Sequence, residues 1–272
     1  MEKQEKSAAA QLKEKLFVNK SNGIKKLSAD EVAKADEFSK GYVEFLNHAK
    51  VEREAVATSV KIAEANGFTP YDSAKQYKPG DRAYVVNRGK NILLTVFGKQ
   101  KVDKGVRLAI AHIDSPRLDL KPNPLYEAND LALFKTHYYG GIKKYQWTAI
   151  PLALHGVVAF KDGSCKDVII GENNDEPCFC VTDLLPHLAK DQMTKKMIDG
   201  IEGENLNILI GGMPVKSEDV SEKVKFAILK HLNEKYGITE RDFLSAEIEI
   251  VPAFKAKNVG LDESFVGAYG QD

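Results

Sequence analysis

The sequence predicts a layered α/β fold built on a mixed sheet, and three observations predict it. Two stretches before residue 67 carry apolar side chains at three- and four-residue steps, the period of a helix with one buried face. From residue 69 the texture changes to short strand-like runs over 82–87, 91–97 and 106–113, punctuated by Pro70, Pro79 and Gly80. The last run delivers two polar groups, His112 and Asp114, before Ser115-Pro116 breaks it. Helices followed by strands that end at such groups make a layered α/β domain.

The whole chain sets the bounds. At 272 residues and 30.1 kDa it can bury a large core as one big domain or two. Charged residues make up 29% and hydrophobic ones 43%, an ordinary globular composition. With 39 basic and 39 acidic residues there is no global field to gather nucleic acid or an anionic membrane. No apolar run approaches the roughly 20 residues of a spanning helix, and the start, MEKQEKSAAAQLKEKL, has nothing resembling a signal peptide. The three cysteines, Cys165, Cys178 and Cys180, form no CxxC pair, and the last two are too close for an ordinary disulfide. That usage suits a reducing cytoplasm.

Taken in order, Ser28 and Glu31 have capping-box spacing, and Val32, Ala35, Phe38, Tyr42, Phe45 and Leu46 form one apolar stripe beyond them. A second helix is expected over 51–66, with Val56, Val60 and Ala63 inward and Gly67 as its stop. His48, between the two, reads as exposed or capping. After Pro116, LDLKPNPLYEAND reads as a proline-marked change of direction, and 131–250 as a separate unit. Within it, 147–160 predicts strands joined by a bend at Pro151 and Gly156, with short strands at 168–171 and 206–211. A helix over 220–236 turns Val224, Ala227, Ile228 and Leu232 inward and ends at Gly237. Residues 244–251 alternate, with Leu244, Ala246, Ile248 and Ile250 on one side and Ser245, Glu247 and Glu249 on a wet face. The tail from 251 has no sustained periodicity and reads as an interruption. There is no internal repeat and no low-complexity tract.

The chemistry concentrates at His112-x-Asp114. An imidazole binds a divalent metal through one nitrogen, and a carboxylate two residues on can accept the proton of the other, fixing the tautomer. Open α/β sheets place ligands at the carboxyl ends of their strands. A structural histidine at a strand end has the same spacing, and the pattern by itself does not separate the two. His137, His155 and His231 read as packing or structural residues. Gly140-Gly141 and Gly211-Gly212 lack the spacing of a phosphate cradle and read as turns. Asp262-Glu263 reads as an exposed acidic pair and Lys143-Lys144 as a solvated face.

Four segments together resemble the M18 family of metallo-aminopeptidases, the aspartyl-aminopeptidase-like enzymes in their bacterial form. They are AHIDSPRLDLKP at 111–122, YYGGIKKYQWTAIPLALHGVV at 138–158, LLPHLAKDQ at 184–192 and IEIVPAFKAKNVGLDESFVGAYGQD at 248–272. They span most of the chain in the family's order and are far more specific than His-x-Asp.

The resemblance implies a catalytic α/β domain in two parts, 1–121 and from 251, interrupted by a mostly-β dimerisation domain over 122–250. It implies a homo-oligomer assembled through that insertion, a dodecamer, which removes N-terminal residues from peptides, acidic ones in some members, with two divalent metal ions, usually zinc. His112 matches the first metal ligand, Asp114 the aspartate that orients it, and Asp272 the carboxylate that bridges both metals. His187 matches a histidine that reaches into the partner subunit's active site. The general-base glutamate and the remaining ligands have no counterpart up to Asp272, so the polypeptide by itself is expected to be inactive. Two other readings stay open: a related two-metal aminopeptidase of another family, and a non-catalytic oligomerisation module.

Overall fold

In the computed structural model, residues 7–18 and 20–270 are described. The chain divides into two units, Met1–Tyr42 and Val43–Asp272. In the first, helix α1 (Ala8–Leu16) is capped by Ser7, whose Oγ accepts from the Ala10 N–H. The capping box opens helix α2 (Ala29–Asn47) as predicted: the Ser28 N–H donates to Glu31 Oε2 at 2.8 Å and the Glu31 N–H to Ser28 Oγ at 3.3 Å. The apolar stripe of α2 is a core face only at its end, since Leu46 is buried and Phe38 is 78% exposed. His48 is exposed, and its Nδ1 sits 2.9 Å from the Glu44 carbonyl at the helix terminus.

The second unit takes in the end of α2 and continues with helix α3 (Glu52–Ala65), which buries Ala55, Val56 and Ala63 and stops at Gly67, whose φ of +80° suits a residue without Cβ. A small sheet follows, β1 (Thr69–Pro70), β2 (Arg82–Asn87) and β3 (Asn91–Val96). The main sheet is antiparallel and has seven strands: β4 (Arg117–Ala128), β5 (Leu131–Tyr139), β6 (Leu152–Ala159), β7 (Cys165–Ile170), β8 (Cys180–Val181), β9 (Ile208–Gly211) and β10 (Ala246–Pro252). Their order across it is β7-β6-β10-β4-β5-β9-β8. Two short helices, α4 (Lys190–Thr194) and α5 (Met197–Gly200), precede β9, and helix α6 (Lys223–Tyr236) follows it. A hairpin of β11 (Lys257–Val259) and β12 (Phe265–Gly267) closes the described chain. No helix among the described residues is long and apolar enough to cross a membrane.

The alternation of strand side chains divides the main sheet into two unlike faces. One is apolar: Leu118, Phe134, Leu152, Leu154, Val158, Val168, Ile208, Ile248 and Ile250 pack with Val224 of α6 and with Phe243. The other carries Arg117 and Asp119 from β4, His155 from β6 and Glu247 and Glu249 from β10, aligned by register, with Glu249 opposite both His155 and Asp119.

That second face corrects the expected wet side of β10, because Glu249 is only 3% exposed. The start of α3 and the residues around it neutralise the face. Arg117 lies 3.0 Å from Glu52, 2.8 Å from Asp119 and 3.3 Å from Glu249. Arg53 and Lys90 pair with Glu247 at 2.9 and 2.6 Å. His155 contacts Glu54 at 2.6 Å through Nδ1 and Glu172 at 2.9 Å through Nε2. Lys50 donates to Glu172 at 2.6 Å and to the Pro252 carbonyl at 2.9 Å. Both neighbours of His155 are acceptors, so its ring is an imidazolium.

Three further expectations meet corrections. Residues 106–113 form no strand and belong to no ladder among the described residues, and Val106, Leu108 and Ile110 are 60, 71 and 86% exposed. Alternating apolar residues specify extension, whereas a strand also needs a neighbour's N–H and C=O groups. LDLKPNPLYEAND is no change of direction, because 117–128 is one strand. Its register with β5 shifts between Leu120 and Leu125, where Pro122 and Pro124 cannot donate. Gly156 marks no bend either. It lies mid-strand in β6, so close to β10 that a Cβ there would sit 1.9 Å from the Glu247 carbonyl oxygen. Gly156→Ala should therefore break β6–β10 pairing, read as loss of folded protein in expression and circular dichroism.

The charged face also makes stability depend on pH. Burial pulls His155 down, but its bonds to Glu172 and Glu54 prevail and raise its pKa to about 9. Burial first, then the nearby Glu52 charge, raises Glu249 to about 8 against the pull of Arg117. The buried Glu52 Oε2 and Glu249 Oε2 have no hydrogen-bond partner among the described residues, as expected where three carboxylates share one guanidinium. Both shifts are upward, so above the unfolded values the native state holds protons the unfolded chain has released, and stability falls as pH rises. The His155 contribution is whole below pH 6.5 and lost on passing about 9. Urea unfolding should show a loss of about 2 kcal/mol between pH 7 and pH 10 from this group. In His155→Gln that slope should flatten, with the variant about 3 kcal/mol less stable at pH 7.

Candidate functional site

The site forms where the unpaired segment 111–116 runs into β4. Asn129 and Asp130, with φ of +52° and +57°, make the tight turn from β4 to β5. The register shift in β4 then brings Tyr139, the last residue of β5, opposite Arg117. The Tyr139 hydroxyl donates to Asp114 Oδ2 at 2.6 Å. Asp114 Oδ1 and its backbone carbonyl oxygen lie 3.1 and 3.0 Å from His112 Nδ1. Both of those atoms accept, so Nδ1 carries a ring proton, as it does in an imidazole that binds a metal through its other nitrogen. The Tyr139 bond holds the Asp114 carboxyl below the usual range against its slight burial, with His112 adding to the effect. The same bond raises the Tyr139 phenol.

A second tyrosine secures the other wall. Tyr269 donates to the Pro116 carbonyl at 2.8 Å, and its ring meets Trp147 edge to face with centroids 6.3 Å apart. Burial raises its phenol well above the ordinary value. Gly140 turns the chain after Tyr139 with φ of +77°. A cleft of about 560 Å³ results, lined among others by His112, Asp114, Tyr139, Gln146, Trp147 and Tyr269.

Of the residues singled out from the sequence, His112 and Asp114 are brought together. His187 sits in an exposed turn and does not line the cleft. Asp272 lies outside the described residues. Among the described residues no group of three His, Cys, Asp or Glu could hold a metal ion. His112 with its orienting aspartate therefore fits one arm of a zinc site rather than a closed one. The cysteines are free and absent from the cleft lining. His155 is a satisfied core histidine, as its apolar neighbours suggested, whereas His231 is exposed.

Tyr139, Trp147 and Tyr269 are site residues that sequence reasoning missed. A regular hairpin through Asn129-Asp130 would place Ile142 opposite Arg117, and only the shift of register substitutes Tyr139. The tandem Tyr138-Tyr139-Gly140-Gly141 was the available signal.

Comparison with known proteins gives concordant results. The sequence profile of the family described as aminopeptidase I zinc metalloprotease (M18) matches residues 45–272. The "Probable M18 family aminopeptidase 1" of Clostridium acetobutylicum is 51% identical over 232 residues, covering 84% of this chain and 50% of that protein. The crystal structure of an M18 aminopeptidase from Thermotoga maritima superposes with a TM-score of 0.87 at 46% identity, covering 94% of this chain and 55% of the other. That of aminopeptidase I from Borrelia burgdorferi gives 0.83 at 40%, covering 93% and 57%. The chain spans about half the length of the curated relatives it matches.

Tyr269→Phe should leave the Pro116 carbonyl without its donor and cost about 1 kcal/mol. Urea unfolding followed by emission of Trp147, the single tryptophan, measures it directly beside the cleft.

Proposed function

The chain belongs to the M18 family of aminopeptidase I zinc metalloproteases, and from that premise we propose that it carries part of the site of a two-metal aminopeptidase acting on the N-terminal residue of peptides. The observation that carries the reading is the bond from His112 Nδ1–H to Asp114, the arrangement in which a neutral ring would bind a metal through Nε2. His112 would hold one zinc ion through that atom, and Asp114 would keep the ring in the required tautomer. Asp272, by family resemblance, would supply the carboxylate between two ions. Bound zinc would supply Lewis-acid chemistry, lowering the pKa of a coordinated water and polarising the scissile carbonyl. The cleft bounded by Trp147, Tyr269 and Gln146 would receive the peptide's N-terminal end, acidic residues being the preferred class by resemblance.

The donor set supports a further part of the reading: this polypeptide alone does not turn over peptides. One histidine and one bridging carboxylate cannot close two shells, and among the described residues no group of three His, Cys, Asp or Glu could hold a metal ion. The remaining ligands and the base would come from polypeptide corresponding to the other half of the relatives. In the same reading 1–121 and 251–272 are catalytic-domain segments and 122–250 an inserted dimerisation domain. That insertion builds a homo-oligomer, a dodecamer by resemblance, in which His187 reaches a neighbouring subunit's site. The exposed Leu184, Leu185 and Leu188 around it support a contact there.

The test combines zinc content with hydrolysis of aspartyl- and leucyl-p-nitroanilide. The purified chain should take up zinc weakly, His112→Ala should take up none at this site, and turnover should be at least about a thousandfold below that of a full-length relative. Robust turnover by the chain alone would overturn its inactivity. Undiminished zinc uptake by His112→Ala would remove His112 from the ligand set.

A further inference from the structure

The segment that carries His112 is bound into no ladder among the described residues, and the His112 side chain is 58% exposed. A metal ligand in such a place needs its orientation imposed from elsewhere. Asp114 supplies part of it, but Asp114 is in the same segment, and a carboxylate free to turn would offer its oxygens to water. What immobilises that carboxylate is the 2.6 Å bond from Tyr139 to Oδ2, which leaves Oδ1 facing the imidazole. Tyr139 belongs to the sheet: it ends β5, paired in register with Arg117. The Arg117 guanidinium lies 4.3 Å from the centre of the Tyr139 ring, a cation–π contact. Arg117 is itself gripped by Glu52, Asp119 and Glu249 in the buried charged face.

We infer that Tyr139 is a positioning residue for His112: its hydroxyl locks the Asp114 carboxylate, which selects the Nδ1–H tautomer and fixes the orientation of the ring at the cleft. The chain of contacts runs from the rigid sheet, through Arg117, the Tyr139 ring and hydroxyl, and Asp114, to the imidazole. The inference rests on the reading of His112 as a zinc ligand, yet its first consequence, the tautomer, is observable with no metal present.

The experiment uses the full chain with ¹⁵N-labelled histidine and long-range ¹H–¹⁵N spectra, the His112 signal being assigned by His112→Gln. In the wild type the Nδ1–H form should dominate. Tyr139→Phe keeps the ring over Arg117 and removes only the hydroxyl. It should lower the ratio of Nδ1–H to Nε2–H forms about threefold or more and weaken zinc affinity, measured against a chelating dye, about tenfold. Tyr138→Phe, one residue away, should do neither. An unchanged tautomer ratio in folded Tyr139→Phe overturns the inference. If the wild type shows no zinc-induced shift at His112 Nε2, the zinc reading of His112 fails, and the tautomer ratio still decides the role of Tyr139.

Discussion

Arg117 joins the two halves of the physical problem this chain solves. It is the first residue of β4, it is buried, and three carboxylates from three elements converge on it: Glu52 of α3, Asp119 of its own strand and Glu249 of β10. A guanidinium can serve several acceptors because it presents five donors in one plane. An isolated carboxylate at the place of Glu249 would be costly to bury, and a buried charge of either sign survives only when paired. Arg117 thus ties the start of α3 to the sheet, faces Glu249 of β10 and stacks on the Tyr139 ring.

The sheet consequently uses two different adhesives. Its apolar face buries Phe134, Leu152, Ile208 and Ile250 in the ordinary way, against α6 and Phe243, and that face supplies most of the favourable burial. Its other face is held by ion pairs whose net gain is small, because desolvation of each charge opposes the attraction. What the charged layer contributes is geometry: each partner has one place to be. That is why stability is expected to depend on the protonation of His155 and Glu249, and why Arg117 holds the Tyr139 ring beside Asp114. The site itself is assembled on a segment outside the sheet and borrows its order from these neighbours.

Much of this was legible from the residues. The capping box at Ser28 and Glu31, the stop at Gly67, the strands at 82–87 and 91–96 and the helix ending at Gly237 all follow from short-range rules, because caps, φ > 0 and side-chain periodicity act within a few residues. His112 and Asp114 were legible for the same reason, their contact spanning two positions. The readings that needed correction share a different property. Val106, Leu108 and Ile110 make an alternating run, and a strand partner is not encoded in the run. The alternation at Glu247 and Glu249 announces two faces without saying that one is covered by cations.

What the sequence by itself determined is therefore the local vocabulary of the chain, and, through its four matching segments, the family. Tertiary structure alone decided that a bulge at Pro122 and Pro124 slides β4 along β5, so that Tyr139 rather than Ile142 faces Arg117. It also decided that Glu249, a residue of charged type, lies in the interior. The physical reason is that periodicity is a property of one strand, while register and burial belong to pairs of elements. The energies that settle them, a proline's missing donor or a guanidinium shared by three acids, exist only once those elements have met.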